Sequence, residues 1–449
     1  MEFLMELNST INSLVWGPYM LVLIVGTGVY LTVRTNFMSI AKLGYVLKNT
    51  LFKMFDKKTT GEGEITPFQA VATALAATIG TGNIAGVGTA IAIGGPGAIF
   101  WMWLSALFGM ATKYGEVVLA IKYREKTPDG RFVGGPMYYI EKGLGMRWLA
   151  MIFAFFGAVA AFGIGNMVQG NSVADAMNAS FNIPHWISGV VIAIGAALVI
   201  IGGLKRIAQV TEKLVPFMAA FYIIGAIIIL ITKASQIPTA FAFIFSQAFT
   251  GTAAVGGFAG STIMMAARFG VARGVFSNEA GLGSAPIAHA AATTDSPVRQ
   301  GLWGIFEVFM DTLVVCSMTA LSIVVTGAWQ TGETGAALTT AAFNLGLPGP
   351  GGIIVAVGVL LFAFSTILSW AYYGERCAEY LLGSRVNMIY RMLWIPFIVI
   401  GAIGGLTAIW DIADTLNGLM AVPNLVGLLG LSGVIFKLTK DYFGSKEKV

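Results

Sequence analysis

The stretch ATIGTGNIAGVGTAIAIGGPG, Ala77 to Gly97, lies in one of the most apolar parts of the chain and yet interrupts itself. Gly80 and Gly82 flank Thr81, and Asn83 follows, at the midpoint of what would otherwise be a membrane-crossing helix. A lipid-embedded backbone has no water to replace a lost hydrogen bond, so such a break survives only where it lines a cavity or is buried in protein. The helix begins well: Thr66 caps it, Pro67 takes the first helical position and Gln69 completes a capping box. An inner half is expected to Thr78, an unwound stretch over Ile79 to Asn83, and an outer half from Ile84. Unwinding exposes amides at the new N-terminus, where the helix dipole favours an anion. It also exposes carbonyls at the end of the inner half, where a hard cation is favoured. The amides of Gly82, Asn83 and Ile84 can therefore hold a carboxylate, and the carbonyls of Ala76 to Ile79 a cation.

The surroundings agree with a membrane setting. Of the 449 residues, 56% are hydrophobic and only 11% charged, against ~25% charged in soluble domains. Apolar runs of the length needed to cross a bilayer recur. They fall at 13–33, 67–93, 96–121, 148–178, 185–204, 209–232, 262–290, 301–327, 351–380, 388–410 and 412–437. The expected fold is an all-α integral membrane protein of about eleven transmembrane helices. The first apolar run lacks a basic leader and a small-residue cleavage site, and reads as a retained helix. The stretch 234–261, with its TGTAAVGGFAGS, is poor helix material and is expected to be interfacial or re-entrant on the outer side.

Lys and Arg set the orientation. They cluster over 34–66 (Lys57 and Lys58 included), 122–147 and 205–213, then at Arg299, over 376–391 and in the tail to Lys448, while the alternate loops carry only Lys233. An outside N-terminus and a cytoplasmic C-terminus in the cell membrane follow. The net charge of +5 is spread over short loops and forms no stripe, so no nucleic-acid partner is expected. Cys316 and Cys377 lie within apolar runs and imply no disulfide framework.

Without its first helix the chain divides into five spans and five, 67–232 and 262–437, which an odd count forces into opposite orientations. The leading span of the second half reads RGVFSNEAGLGSAPIAHA, Arg273 to Ala290, and is again interrupted by glycine. Paired breaks at corresponding positions mark an inverted-repeat transporter with broken first and sixth core helices and a site at the breaks. Small residues that merely let helices pack closely are the plainer alternative for either segment alone. Phe276, Ser277 and Asn278 are expected to be unwound, with their carbonyls near an ammonium group. Glu279 is either a coupling-ion or proton site, or a structural partner for Arg268, Arg273 or a backbone amide. His289 reads as a packed, hydrogen-bonded residue rather than a proton relay. Glu307 and Asp311, four apart, either line a water path or pair with arginines, and Lys113 and Glu116 look like a local ion pair. In FGIGNMVQGNS, Asn166 and Gln169 share a face with Gly165; in FAFSTILSWAYYGER, adjacent Ser365 and Thr366 offer hydroxyls to sodium, with Trp370 one turn later.

At this point the residues resemble a known family. GGPGAIFWMWLSALFGM, Gly94 to Met110, resembles the signature of the alanine/glycine:cation symporters, and FSNEAGLGSAP, Phe276 to Pro286, is similar to that family's second broken-helix motif. The resemblance extends over nearly the whole chain. It implies a leucine-transporter-like fold, with substrate at the first and sixth core helices and sodium between the first and eighth. It puts Ser365 and Thr366 in the place of the sodium-binding hydroxyl pair, which the exposed carbonyls of Ala76 and Ile79 would complete, and makes Thr78, Gly82, Gln169, Phe276 and Trp370 candidates for enclosing the amino acid, beside the break residues Gly80, Thr81, Asn83, Ser277 and Asn278. The expected function is sodium-coupled uptake of alanine or glycine by alternating access, in contact with membrane lipid. A proton-coupled transporter of the same fold, using Glu279 or Glu307, is the first alternative and a passive channel the second. No HExxH or GxSxG element and no Cys/His cluster supports an enzyme.

Overall fold

The computed structural model describes residues 2–54, 60–404 and 407–446; Lys57, Lys58 and Lys448 of the charge pattern lie outside them. Thr66 accepts from the Gln69 N–H while the Gln69 side chain accepts from the Thr66 N–H, so the capping box starts the helix Pro67–Thr78. Such a cap is worth ~1 kcal/mol. The helix stops where the sequence breaks; a π-turn, Gly82–Gly86, leads into Val87–Gly94, and the two together are bent by 50° from Pro67–Thr78.

Eight further described helices are long and apolar enough to cross a membrane, among them Ala98–Lys122, Gly203–Thr232, Pro297–Thr326 and Gly351–Leu382. His185–Ile200 is apolar but shorter, and Ile263–Asn278, of 16 residues, carries Arg268 and Arg273. Large side chains such as Val191, Leu198, Ile231 and Met264 are exposed around the outside. An apolar belt of this kind is what a bilayer covers.

Two departures from expectation have local causes. Part of 234–261 is helical, Ile237–Thr250, with Pro238 in its first turn; Phe245 and Phe249 pack on Phe100, and Phe241 stacks on Trp103. Aromatic packing there overrides weak local propensity. The rest of the stretch folds back on itself through the bridges Thr252–Ser261 and Val255–Phe258. The second broken helix also holds one turn longer than expected: Ile263–Asn278 is continuous, so Phe276, Ser277 and Asn278 form its last turn. The break begins at Glu279, which is left-handed (φ 55°), and runs through Gly281 and Gly283 (φ 96° and 84°) to the short helix Pro286–His289. Only glycine adopts those last two conformations without strain.

The two broken helices meet at one end of the molecule. The segment entering the first pairs with the segment leaving the second, through bridges Glu62–Thr294 and Ile65–Ala292. Arg124 fastens the junction, donating to the carbonyls of Ala290 (3.0 Å), Ala292 (2.6 Å) and Glu62 (2.7 Å).

Candidate functional site: two helix breaks and a hydroxyl pair

The two breaks touch. A methyl group on Gly82 would lie 3.3 Å from Ser277 Cα and 3.5 Å from Phe276 Cδ1, so the half-helices are in close contact here and a side chain would fit only tightly between them. Asp311 ties them together: its Oδ1 accepts from Asn83 Nδ2 at 2.7 Å and from Ser277 Oγ at 3.1 Å, and its Oδ2 from Thr312 Oγ1 at 2.7 Å. Asn278 Nδ2 donates to Thr312 Oγ1, and Asn278 Oδ1 accepts from the Ala280 N–H. The Asn83 side chain also takes the orphan N–H of Gly80 at 2.9 Å, while its own N–H closes a turn on the Gly80 carbonyl. Asn83 thus braces the break through both backbone and side chain, and its amide is not free to hold an anion in this arrangement. The carbonyls of Asn83 and Ile84 accept from Thr319 (2.8 Å) and Thr339 (2.9 Å). An unwound segment inside a membrane protein needs such partners.

The helix Gly351–Leu382 brings the hydroxyl pair to the end of the inner half-helix. Ser365 Oγ and Thr366 Oγ1 each lie 3.1 Å from the Ala76 carbonyl, and Thr366 Oγ1 lies 3.3 Å from that of Ala77. These are hydrogen bonds in this arrangement, and their lengths come near the roughly 3.4 Å that separates oxygens around a hard cation ~2.4 Å away. A methyl on Gly80 would lie 2.6 Å from Thr366 Oγ1. Ile79 is the C-cap of the inner half and is buried, its N–H bonded to the Leu75 carbonyl.

Of the remaining candidates, Thr78 bonds back to Ala74 and Leu75 in its own helix, and Thr81 is buried at the break. Trp370 is buried; a methyl on Gly165 would lie 2.1 Å from its Cβ, so the Gly165 helix and the Trp370 helix interlock. Gln169 Nε2 donates to the Ile164 carbonyl, but Gln169 Oε1, buried, has no hydrogen-bond partner among the described residues.

The intramembrane charges pair differently from expectation. Lys113 reaches Glu307 at 3.2 Å rather than Glu116, and Glu307 also meets His289 at 3.1 Å. His289 is held in turn by Gln300 at 2.9 Å, which makes it a bonded core residue. Glu116 instead accepts the N–H groups of Gly281 (3.0 Å) and Gly283 (3.1 Å) and the Asn424 amide (2.6 Å), so it satisfies the second break. Glu279 meets neither Arg268 nor Arg273; it accepts from Ser284 Oγ and, at 3.0 Å, from Trp370 Nε1. Sequence reasoning gave Asp311 a water path or an arginine and Glu116 a local pair with Lys113, and it passed over Asn424; instead Asp311 ties the two breaks together, and Glu116 and Asn424 bond to the second. Each is a polar residue in an apolar run, a signal that says "partnered" without saying with what.

The two ends of the molecule differ. At the Arg124 junction, Arg131 grips Glu379 (2.8 Å), Arg376 pairs with Glu375 and Glu379, and Arg391 pairs with Glu375 (2.5 Å). Glu64 accepts the Phe132 N–H at 2.6 Å; burial raises its carboxyl above the ordinary value, against the pull of that N–H and of Arg376 and Arg131. At the other end a cavity of about 110 Å³, lined by residues that include Arg273, Phe276 and Asp414, reaches down to the breaks.

The model of the sodium:alanine symporter family matches residues 1–449. The sodium/alanine symporter AgcS of Methanococcus maripaludis is 54% identical, with 98% of each chain covered. The probable sodium/glutamine symporter GlnT of Bacillus subtilis is 38% identical, over 97% of this chain and 90% of its own. The crystal structure of MhsT in complex with L-phenylalanine shares the fold (TM-score 0.55, 14% identity, 86% of this chain and 99% of that one). The chain therefore belongs to the sodium:alanine symporter family and is a multi-pass membrane transporter, not an enzyme.

Proposed function

We propose that the chain couples a sodium gradient to the uptake of small neutral amino acids, alanine and glycine, by alternating access. The observation that carries this reading is the junction of the breaks: Gly82 against Ser277 on one side, and the Ala76 and Ala77 carbonyls against the Ser365–Thr366 pair on the other. One small volume thus joins dipole ends for a zwitterion with oxygens for a hard cation. The Gln169 Oε1 atom supplies an acceptor that a bound ammonium would satisfy, and Gly80, Gly82 and Gly165 leave little room beyond a methyl side chain. The repeats are 67–232 and 262–437, with 13–33 outside them. The latched end carries Arg124, Arg131, Arg376 and Arg391 and is assigned to the cytoplasm, with the C-terminus.

The deciding experiment is alanine uptake into liposomes with and without an inward sodium gradient; accumulation above equilibrium with sodium alone is expected, and a passive channel could not produce it. Competition measures the pocket. Glycine and alanine should compete, whereas leucine should lose roughly tenfold or more, because overpacking a filled site costs ~1–3 kcal/mol. Leucine competing as well as alanine would mean that the pocket is not this one. For orientation, a cysteine in place of exposed Glu333 should react with an impermeant reagent from outside intact cells, and one at exposed Lys126 should not; the reverse pattern would invert the topology.

A second reading, proton coupling, has one observation in its favour: among the described residues the Glu279 carboxylate is hydrogen-bonded only by the neutral donors Ser284 and Trp370. Uptake driven by a pH gradient without sodium, and lost in Glu279→Gln, would establish it.

A further inference from the structure

The cavity at the unlatched end is built for a zwitterion. Its walls carry opposite charges from different elements: Arg268 and Arg273 on Ile263–Asn278, and Asp414 on Thr407–Gly430. Among the described residues no ion pair joins them. Arg273 has no side-chain hydrogen bond among the described residues; its guanidinium stands 5.6 Å from the centre of the Phe276 ring. Asp414 is fixed from the third wall, the N-terminal helix Glu2–Val15 and the residue after it. Asn12 Nδ2 donates to Asp414 Oδ2 at 3.2 Å, and Trp16 Nε1 to the Asp414 carbonyl at 3.1 Å.

We infer that this cavity is a second amino-acid station, upstream of the breaks, in which Arg273 takes the substrate carboxylate and Asp414 its ammonium group. The inference rests on the proposed function for its substrate class. A lone anion would face Asp414 and a lone cation would face two guanidiniums, whereas a zwitterion meets a partner at each end. The cavity's 110 Å³ amounts to several waters' worth of space, on the scale of an amino acid of about six heavy atoms. Phe276 is common to both sites: its ring lines the cavity and its Cδ1 is the atom nearest the Gly82 position after Ser277 Cα. Passage from the station to the breaks then needs a rotation of that one half-buried ring. The N-terminal helix, outside the ten-span core, acquires a role as the clamp that holds Asp414 in place.

The test is equilibrium binding of radiolabelled alanine to the purified full chain in lipid nanodiscs, with sodium and with choline in its place. The wild type should bind two alanines per chain with sodium and one without, since only the site at the breaks depends on the ion. Arg273→Gln and Asp414→Asn should each bind one with sodium, at wild-type affinity and sodium dependence, and none without. Retention of the sodium-dependent alanine shows that the variants are folded. Arg273→Lys should keep the sodium-independent alanine, weakened by up to tenfold. Alaninamide and lactate, each lacking one charge, should not displace it. A wild type that binds one alanine with sodium and none in choline overturns the station, as does sodium-independent binding that survives both Arg273→Gln and Asp414→Asn. Loss of only the sodium-dependent alanine from the wild type would instead count against the proposed function and leave the station standing.

Discussion

Replacing Thr366 with alanine should lower the apparent sodium affinity of alanine uptake about tenfold or more, with uptake recovering as sodium is raised. A ligand to a charged group is worth ~1.5–3 kcal/mol, and each 1.4 kcal/mol is a factor of about ten. The geometry also gives the proposed site a way to open for the ion. Ser365 and Thr366 hydroxyls donate to the Ala76 and Ala77 carbonyls, yet each has a second acceptor in its own helix, the Phe362 carbonyl, at 2.8 and 3.0 Å. Turning both protons to Phe362 frees two carbonyls and two hydroxyl lone pairs at small cost. Thr366→Ser keeps that rotor and should stay close to wild type. Linkage adds a condition: sodium must raise alanine affinity by the factor by which alanine raises sodium affinity. Unchanged sodium dependence in a normally expressed Thr366→Ala protein would rule out this ion site.

The sequence exposes these elements unequally, for physical reasons. The first break was legible because its determinants are local: Thr66, Pro67 and Gln69 start the helix, and Gly80 and Gly82 mark where it stops. The second was legible in kind but displaced in position. Phe276 to Asn278 stay helical because Ser277 and Asn278 side chains find Asp311 and Thr312, while the strain falls on Glu279, Gly281 and Gly283. The partner of Lys113 was not legible. Its spacing from Glu116 suggests a local pair, but both side chains are buried and each is claimed by a group far away in sequence: Glu307 for Lys113, the Gly281 and Gly283 amides for Glu116. Helical spacing predicts contacts on a surface; inside a bundle, the neighbouring helices decide. The helix Ile237–Thr250 was hidden for the same reason, since its stabilising aromatic partners lie on another element.

That buried charge cluster carries the largest stability effect expected here. Lys113 and Glu307 are both 0% exposed, and the other Glu307 oxygen faces His289, which the Gln300 amide orients. Lys113→Met would leave a carboxylate in the middle of the bundle with an imidazole as its remaining side-chain partner. Breaking a buried pair from one side costs ~3–5 kcal/mol, whereas replacing both members is often close to neutral. Spread over the unfolding entropy of a chain this size, the single variant should melt roughly 3–5 °C lower. Lys113→Met with Glu307→Gln should recover most of that loss. The coupling between the two positions should be ~1 kcal/mol or more, as expected of residues in direct contact. The pair Lys126–Glu62, 55% and 70% exposed, is the control; breaking it should cost less than ~1 kcal/mol. The functional consequence is separable from the thermal one. His289 ends the short helix of the second broken segment, and its neighbours Ala290 to Thr294 pair with the entry to the first. Loosening Glu307 therefore reaches the latched end through His289. Lys113→Met should raise the reactivity of a cysteine at Lys126 toward a cytoplasmic-side reagent, and the double variant should restore it. If Lys113→Met melts no lower than the Lys126 control and leaves that reactivity unchanged, the cluster is not what holds the two broken helices together.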